Sequence, residues 1–177
     1  MTEEEVKLNY ITPAIEEAGW AKKQIRMEYS INAGKIVVRG NVAKRLPKKK
    51  ADYVLFYKEN MPLAVVEAKD NNHSVRSGIQ QALGYRELLK DVPCVYSSNG
   101  DAFFEHDFTS SNGKIERQIP LDAFPTPEEL WNRYKKLNKI EEEQEIAVAE
   151  QEYFYDSSGK KPRYYQQVAI NRIVEAI

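Results

Sequence analysis

The chain has one cysteine, Cys94, which cannot close an internal disulfide; within the apolar run P-C-V-Y it reads as a buried, inert thiol. No apolar stretch approaches the roughly 18 residues that a membrane helix requires. The opening M-T-E-E-E-V lacks the apolar segment of a secretory signal. These absences lead us to expect a cytoplasmic protein without a membrane partner. An excess of charge of one sign is also missing. Lys and Arg number 26 against 27 Asp and Glu, a net charge of −1, so any polyanionic partner must be met by a local patch. The two histidines, His73 and His106, do not have metal-site spacing. No G-x-x-x-x-G-K-[ST] occurs, so the chain cannot hydrolyse ATP alone.

The remaining pattern alternates helices and strands. Leu8, Ile11, Ile15 and Ala18 recur at helical spacing, and Thr2 with Glu5 fits a capping box. Pro13 interrupts that helix, predicting a kink or a restart capped by Thr12. Residues 25–31, I-R-M-E-Y-S-I, alternate as a strand; N-A-G-K makes a turn, and K-I-V-V-R is the expected partner. K-R-L-P-K-K-K, residues 44–50, is too polar for core and reads as a loop around Pro47. Y-V-L-F-Y (53–57) and L-A-V-V (63–66) are two buried strands joined by K-E-N-M-P, an antiparallel hairpin. Ser74 is placed to cap a helix reaching about Leu89. P-C-V-Y-S-S-N-G, D-A-F-F-E-H and I-E-R-Q-I read as further strands, and P-E-E-L-W-N-R-Y-K-K-L as an amphipathic helix. The order predicts an α/β domain: a mixed β-sheet flanked by helices, with a helical C-terminal extension.

The hairpin brings chemistry together. Glu67 and Lys69, in V-V-E-A-K-D, project from one face of their strand while Ala68 faces the other. A turn centred near residues 59–60 sets Asp52 opposite Glu67, with Cβ atoms roughly 4.5–5.5 Å apart. Two carboxylates so close repel unless a cation lies between them. Oxygen donors suit Mg²⁺ or Mn²⁺, and the Ala68 carbonyl offers another. Lys69 is placed to orient or deprotonate a water, or to stabilise charge developing on phosphate. The set describes metal-dependent phosphodiester hydrolysis, while a lone Glu-x-Lys at a strand end also fits a solvated rim. Gln81 and Tyr85, four residues apart, share a helix face from which either reaches a DNA phosphate or the ion's water shell. Ordinary helix surface is the other reading. Lys48, Lys49 and Lys50 either track a DNA backbone or are simply solvated. Asn72 and His73 border the site; Trp20 and Trp131 read as packing residues.

A-D-Y-V-L-F-Y, P-L-A-V-V-E-A-K-D, I-Q-Q-A-L-G-Y and Y-S-S-N-G, in that order, resemble the PD-(D/E)XK nuclease superfamily. With I-T-P-A-I-E-E-A-G-W and R-M-E-Y, the likeness over residues 3–107 is closest to the N-terminal nuclease domain of the restriction subunit of type I restriction-modification enzymes. The resemblance implies a restriction-endonuclease-like core with Asp52, Glu67 and Lys69 as catalytic triad and Gln81 with Tyr85 as the Q-x-x-x-Y motif. It also implies an acidic residue from the first helix, where Glu3, Glu4 and Glu5 all qualify. Ala51 replaces the motif's proline. The implied substrate is double-stranded DNA, and the implied partners are the modification and specificity subunits of the restriction complex.

The tail carries a second resemblance. P-R-Y-Y-Q-Q-V-A-I is similar to the segment preceding the phosphate-binding loop of superfamily 2 helicase motors, with Arg163, Tyr165 and Gln166 matching the adenine-contacting motif. We therefore expect a nuclease domain over 1–137, an acidic helical linker over 138–160 and the start of a motor over 161–177. The chain would then be a fragment of a longer protein that uses ATP. A stand-alone repair or recombination nuclease and a non-catalytic DNA-binding or docking module are the rival readings.

Overall fold

The computed structural model describes residues 1–31, 36–39, 42–45, 49–58, 61–89, 91–111, 113–141 and 146; for 36–39 and 42–45 it describes the backbone alone. The chain divides into two compact units, Met1–Leu137 and Asn138–Ile177. The second lies almost wholly outside the described residues, as do Lys48 and the tail residues Arg163, Tyr165 and Gln166. Among the described residues no helix is long and apolar enough to cross a membrane.

The chain opens with α1 (Glu3–Val6), a π-helical turn (Lys7–Ile11) and α2 (Thr12–Glu17). The expected capping box is formed: Thr2 Oγ1 accepts the Glu5 N–H, and the Glu5 carboxylate accepts the Thr2 N–H. Thr12 is no cap, contrary to expectation. It lies inside the helix, with its hydroxyl 2.9 Å from Tyr53 Oη. The π turn inserts one residue just before Pro13 and shifts the buried stripe. Val6, Lys7, Ile11, Ala14 and Ile15 face inward, while Leu8 is 72% exposed.

The main sheet has six strands: β1 (Ile25–Ser30), β4 (Lys50–Phe56), β5 (Pro62–Ala68), β6 (Cys94–Ser98), β7 (Phe103–Asp107) and β8 (Glu116–Ile119), in that spatial order. β5 and β6 are parallel; the other neighbours are antiparallel, so the sheet is mixed. β2 (Ile36–Arg39) and β3 (Val42–Arg45) form a separate two-stranded ribbon. Two expectations are corrected here. The partner of β1 is β4 and not residues 35–39, and Lys44 and Arg45 belong to a strand and not to a loop. An apolar strand such as β4 must be covered along both edges, and β1 with β5 does so.

β4 from Ala51 and the whole of β5 are buried. Side chains such as Val54, Leu55, Leu63 and Val65 each contribute about 1.5–3 kcal/mol by leaving water. That burial holds the strand ends carrying Asp52 and Glu67 in a dry setting. α3 (Ile79–Arg86) crosses between the two parallel strands, and α4 (Pro127–Asn138) follows β8. The cap position of α3 is Gly78, not Ser74, whose hydroxyl lies in hydrogen-bond contact with Ser77 Oγ in the preceding turns. Trp20 and Trp131 pack as expected: Trp20 Nε1 donates to the Pro125 carbonyl, and Trp131 stacks on Tyr57. Cys94 is fully buried, and burial pushes its thiol up to about 12.

Candidate active site

The β4–β5 ladder pairs Tyr53 with Val66 and Val54 with Val65. One residue further along, the same register sets Asp52 opposite Glu67. Asp52 is held at both oxygens: Oδ2 accepts the Ala68 N–H at 2.8 Å, and Oδ1 lies 2.7 Å from Lys7 Nζ. Glu67 is only 3% exposed. Its Oε1 accepts from Lys69 Nζ at 2.9 Å, and its Oε2 is buried without a hydrogen-bond partner. Burial first, then the charge of Asp52, raise its carboxyl to about 7 against the pull of Lys69.

Lys69 also faces Gln81 Oε1 at 3.5 Å and Glu3 Oε2 at 4.0 Å. Burial works against its charge, but the hydrogen bond and charge of Glu67 outweigh that and hold its pKa above the ordinary lysine value. In this arrangement Lys69 Nζ donates to the Glu67 carboxylate. Gln81 Nε2 donates to Tyr85 Oη at 2.6 Å, so the two share one face of α3 and the pair buttresses Lys69.

The three N-terminal glutamates separate. Glu5 is consumed by the cap, where the Thr2 N–H keeps its carboxyl low. Glu4 pairs with Lys7 at 2.9 Å. Glu3 alone of the three stands between both lysines, 3.5 Å from Lys7 and 4.0 Å from Lys69.

The family model described as "Type I restriction enzyme R protein N terminus" matches residues 2–125. The chain belongs to this family. It is 46% identical over 179 residues to the type I restriction enzyme EcoAI endonuclease subunit of Escherichia coli, covering 100% of this chain and 22% of that protein. It also resembles a solved fragment described as an HsdR subunit of a type I restriction enzyme from Vibrio vulnificus YJ016. That match has TM-score 0.78 and 35% identity, and covers 99% of this chain and 32% of that one. The chain thus spans less than a third of either relative. Its α/β architecture, a mixed sheet flanked by helices, is the restriction-endonuclease-like core that the sequence resemblance implied.

Four residues at or beside this candidate site escaped the sequence reading. Lys7 was hidden by the π turn, which carries it inward where regular periodicity selects Leu8. Glu28 faces Asp52 across β1–β4: the pairs Met27–Tyr53 and Tyr29–Ala51 bracket it, and its Oε1 reaches Lys7 at 2.9 Å. Its backbone sits at φ 48°, a left-handed conformation uncommon for a residue with a side chain. Gly78 donates its N–H to Ser97 Oγ, and Ser97 lies beside Glu67 in the β5–β6 register. The signal for Glu28 was present in R-M-E-Y; only the wrong strand partner concealed it.

Among the described residues no three His, Cys, Asp or Glu side chains are grouped to hold a metal ion. The donor chemistry nonetheless suits a hard cation. Glu67 Oε2 is a buried oxygen with no hydrogen-bond partner, and the Glu67 carboxyl lies near enough to Asp52 to feel its charge. The Ala68 carbonyl lies on the same side of β5 as the N–H that Asp52 accepts. Mg²⁺ is commonly held by one or two carboxylates and several waters, so this small set is sufficient. Of the basic residues, Lys50 opens β4 and is exposed, and Lys49 Nζ lies 3.8 Å from where a Cβ on Gly84 of α3 would stand. Asn72 and His73 form their own turn with Asp70, and Asn72 lines a pocket with Glu3.

Proposed function

We propose that this chain is the Mg²⁺- or Mn²⁺-dependent endonuclease domain of a type I restriction subunit and hydrolyses phosphodiester bonds of double-stranded DNA. One observation carries the reading: a buried carboxylate with an unpartnered oxygen, Glu67, lies opposite Asp52 and is paired with Lys69. Asp52, Glu67 and the Ala68 carbonyl would hold the divalent ion, which when bound supplies compensation of the two carboxylates and polarisation of the scissile phosphate. Lys69, an ammonium with spare donors, stabilises the negative charge that develops on the phosphate. Gln81, tied to Tyr85, keeps Lys69 facing the site and offers its amide to the DNA backbone. Lys48, Lys49 and Lys50 supply phosphate contacts. In the whole subunit, the segment with Arg163, Tyr165 and Gln166 leads into an ATP-driven motor that works with the modification and specificity subunits.

The test separates Glu67 from Lys69 in the assembled enzyme. Glu67→Ala should abolish both calorimetric Mn²⁺ binding at this site and DNA cleavage. Lys69→Ala should keep Mn²⁺ binding and still lose cleavage. ATP-driven translocation should survive both changes. Normal cleavage by Lys69→Ala would make the strand-end pair a solvated rim and end the nuclease reading.

A further inference from the structure

The site holds a cation of its own. Lys7 Nζ lies 2.7 Å from Asp52 Oδ1, 2.9 Å from Glu28 Oε1, 2.9 Å from Glu4 Oε1 and 3.5 Å from Glu3 Oε1. An ammonium has three N–H donors, and the three nearest carboxylates take them all. The side chain is 2% exposed, so its charge has given up nearly all its water for these oxygens. Two backbone features serve this arrangement. The π turn carries Lys7 inward, and the left-handed φ of Glu28, a conformation rare for a residue with a side chain, sends a carboxylate to it.

Glu28, Asp52 and Glu67 form a row across β1, β4 and β5, each opposite the next. A row of three carboxylates offers two gaps for cations. Lys7 fills the gap between Glu28 and Asp52, while Glu67, opposite Asp52 on its other side, carries the unpartnered Oε2. We infer that Lys7 is a positioning residue that takes the place of a second metal, so that the site accepts one divalent ion per chain. The inference rests on the proposed metal-dependent reading and deepens it. Lys7 fixes the Asp52 carboxylate and cancels its charge toward β1, which leaves that carboxylate free to share a cation only with Glu67.

The experiment counts Mn²⁺ ions in the full R protein without nucleotide, by calorimetry and by electron paramagnetic resonance. Ions of this site are defined as those lost in Asp52→Ala, because Asp52 borders both gaps. The wild type should bind one, with the spectrum of an isolated ion. Lys7→Met, similar in shape and uncharged, should bind two, with the exchange-coupled signal of a close pair. Lys7→Arg, which keeps the charge, should still bind one. Where Lys7→Met melts early, Mn²⁺ should raise its melting temperature more than it raises that of the wild type. A wild type binding two ions would overturn the inference whether or not Lys7→Met folds, as would a folded Lys7→Met that still binds one. If no Asp52-dependent ion is found even in the wild type, the metal-dependent reading itself fails and this inference with it.

Discussion

Gly78 leaves no room beside Glu67: a Cβ on Gly78 would fall 2.8 Å from Glu67 Cγ and 2.8 Å from Ser97 Oγ. The backbone there is ordinary, with φ −88°, so alanine would be resisted by space and not by conformation. Gly78→Ala should displace the Glu67 carboxylate at an overpacking cost of about 1–3 kcal/mol. Cleavage and Mn²⁺ affinity should each fall tenfold or more while the protein stays folded, as read by calorimetry and a thermal melt. Unchanged Mn²⁺ affinity would show that Glu67 can yield without consequence.

A buried carboxylate with a bare oxygen, as at Glu67, is a stability cost. Glu67→Gln keeps the shape and removes the charge. At pH 8 without divalent ions, the variant should gain about 1–3 kcal/mol, the size of one buried unsatisfied polar group. For a chain of this length that is a rise of several degrees in melting temperature. A lower melting temperature would mean that the Glu67–Lys69 ion pair outweighs the burial cost.

Two strands from β5, Glu105 of β7 is fully buried and bonds Tyr96 Oη, Arg117 and Arg133. Burial raises its pKa, but the hydrogen bonds from the two guanidiniums prevail and hold it below the usual carboxylate value. A depressed folded pKa gives stability that is present above the unfolded pKa and lost as pH falls through the folded one. Glu105→Gln should therefore cost about 3–5 kcal/mol near neutrality, the price of breaking a buried ion pair. The melting temperatures of variant and wild type should converge as pH drops below the usual glutamate range. Parallel curves across that range would assign the loss to packing.

Lys49 lies beside Gly84 of α3, and Lys50, at the start of β4, is near enough to Glu28 to lower its carboxyl. Replacing Lys48, Lys49 and Lys50 with alanine should weaken DNA binding equally for unrelated sequences. The slope of log K against log salt should flatten by about 0.9 for each lysine that had neutralised a phosphate of duplex DNA. An unchanged slope would leave these lysines as solvated surface.

The opposition of Asp52 and Glu67 was legible because a strand has a period of two and a short turn pins the register; Tyr53 pairing with Val66 is the result. Lys7 was illegible for the converse reason. Helical periodicity assumes a constant advance per residue, and one π turn breaks it, turning Leu8 outward and an ammonium inward. Glu28 required knowledge of which strand lies beside β4, a long-range pairing that local alternation does not encode. Ser74 looked like a helix cap by residue type, but the tight approach of the chain to Glu67 at Gly78 decides where α3 begins.

The row of carboxylates has a consequence for the order in which ligands arrive. Around Lys7 and Lys69, carboxylates outnumber ammoniums by five to two, counting Glu3, Glu4, Glu28, Asp52 and Glu67. Such a mouth repels a polyanion. A divalent ion seated at Glu67 lowers that repulsion, so on the proposed reading ion and DNA assist each other's binding by the same factor, whichever comes first. The metal-free domain is then guarded by its own electrostatics and can rest against DNA without engaging it.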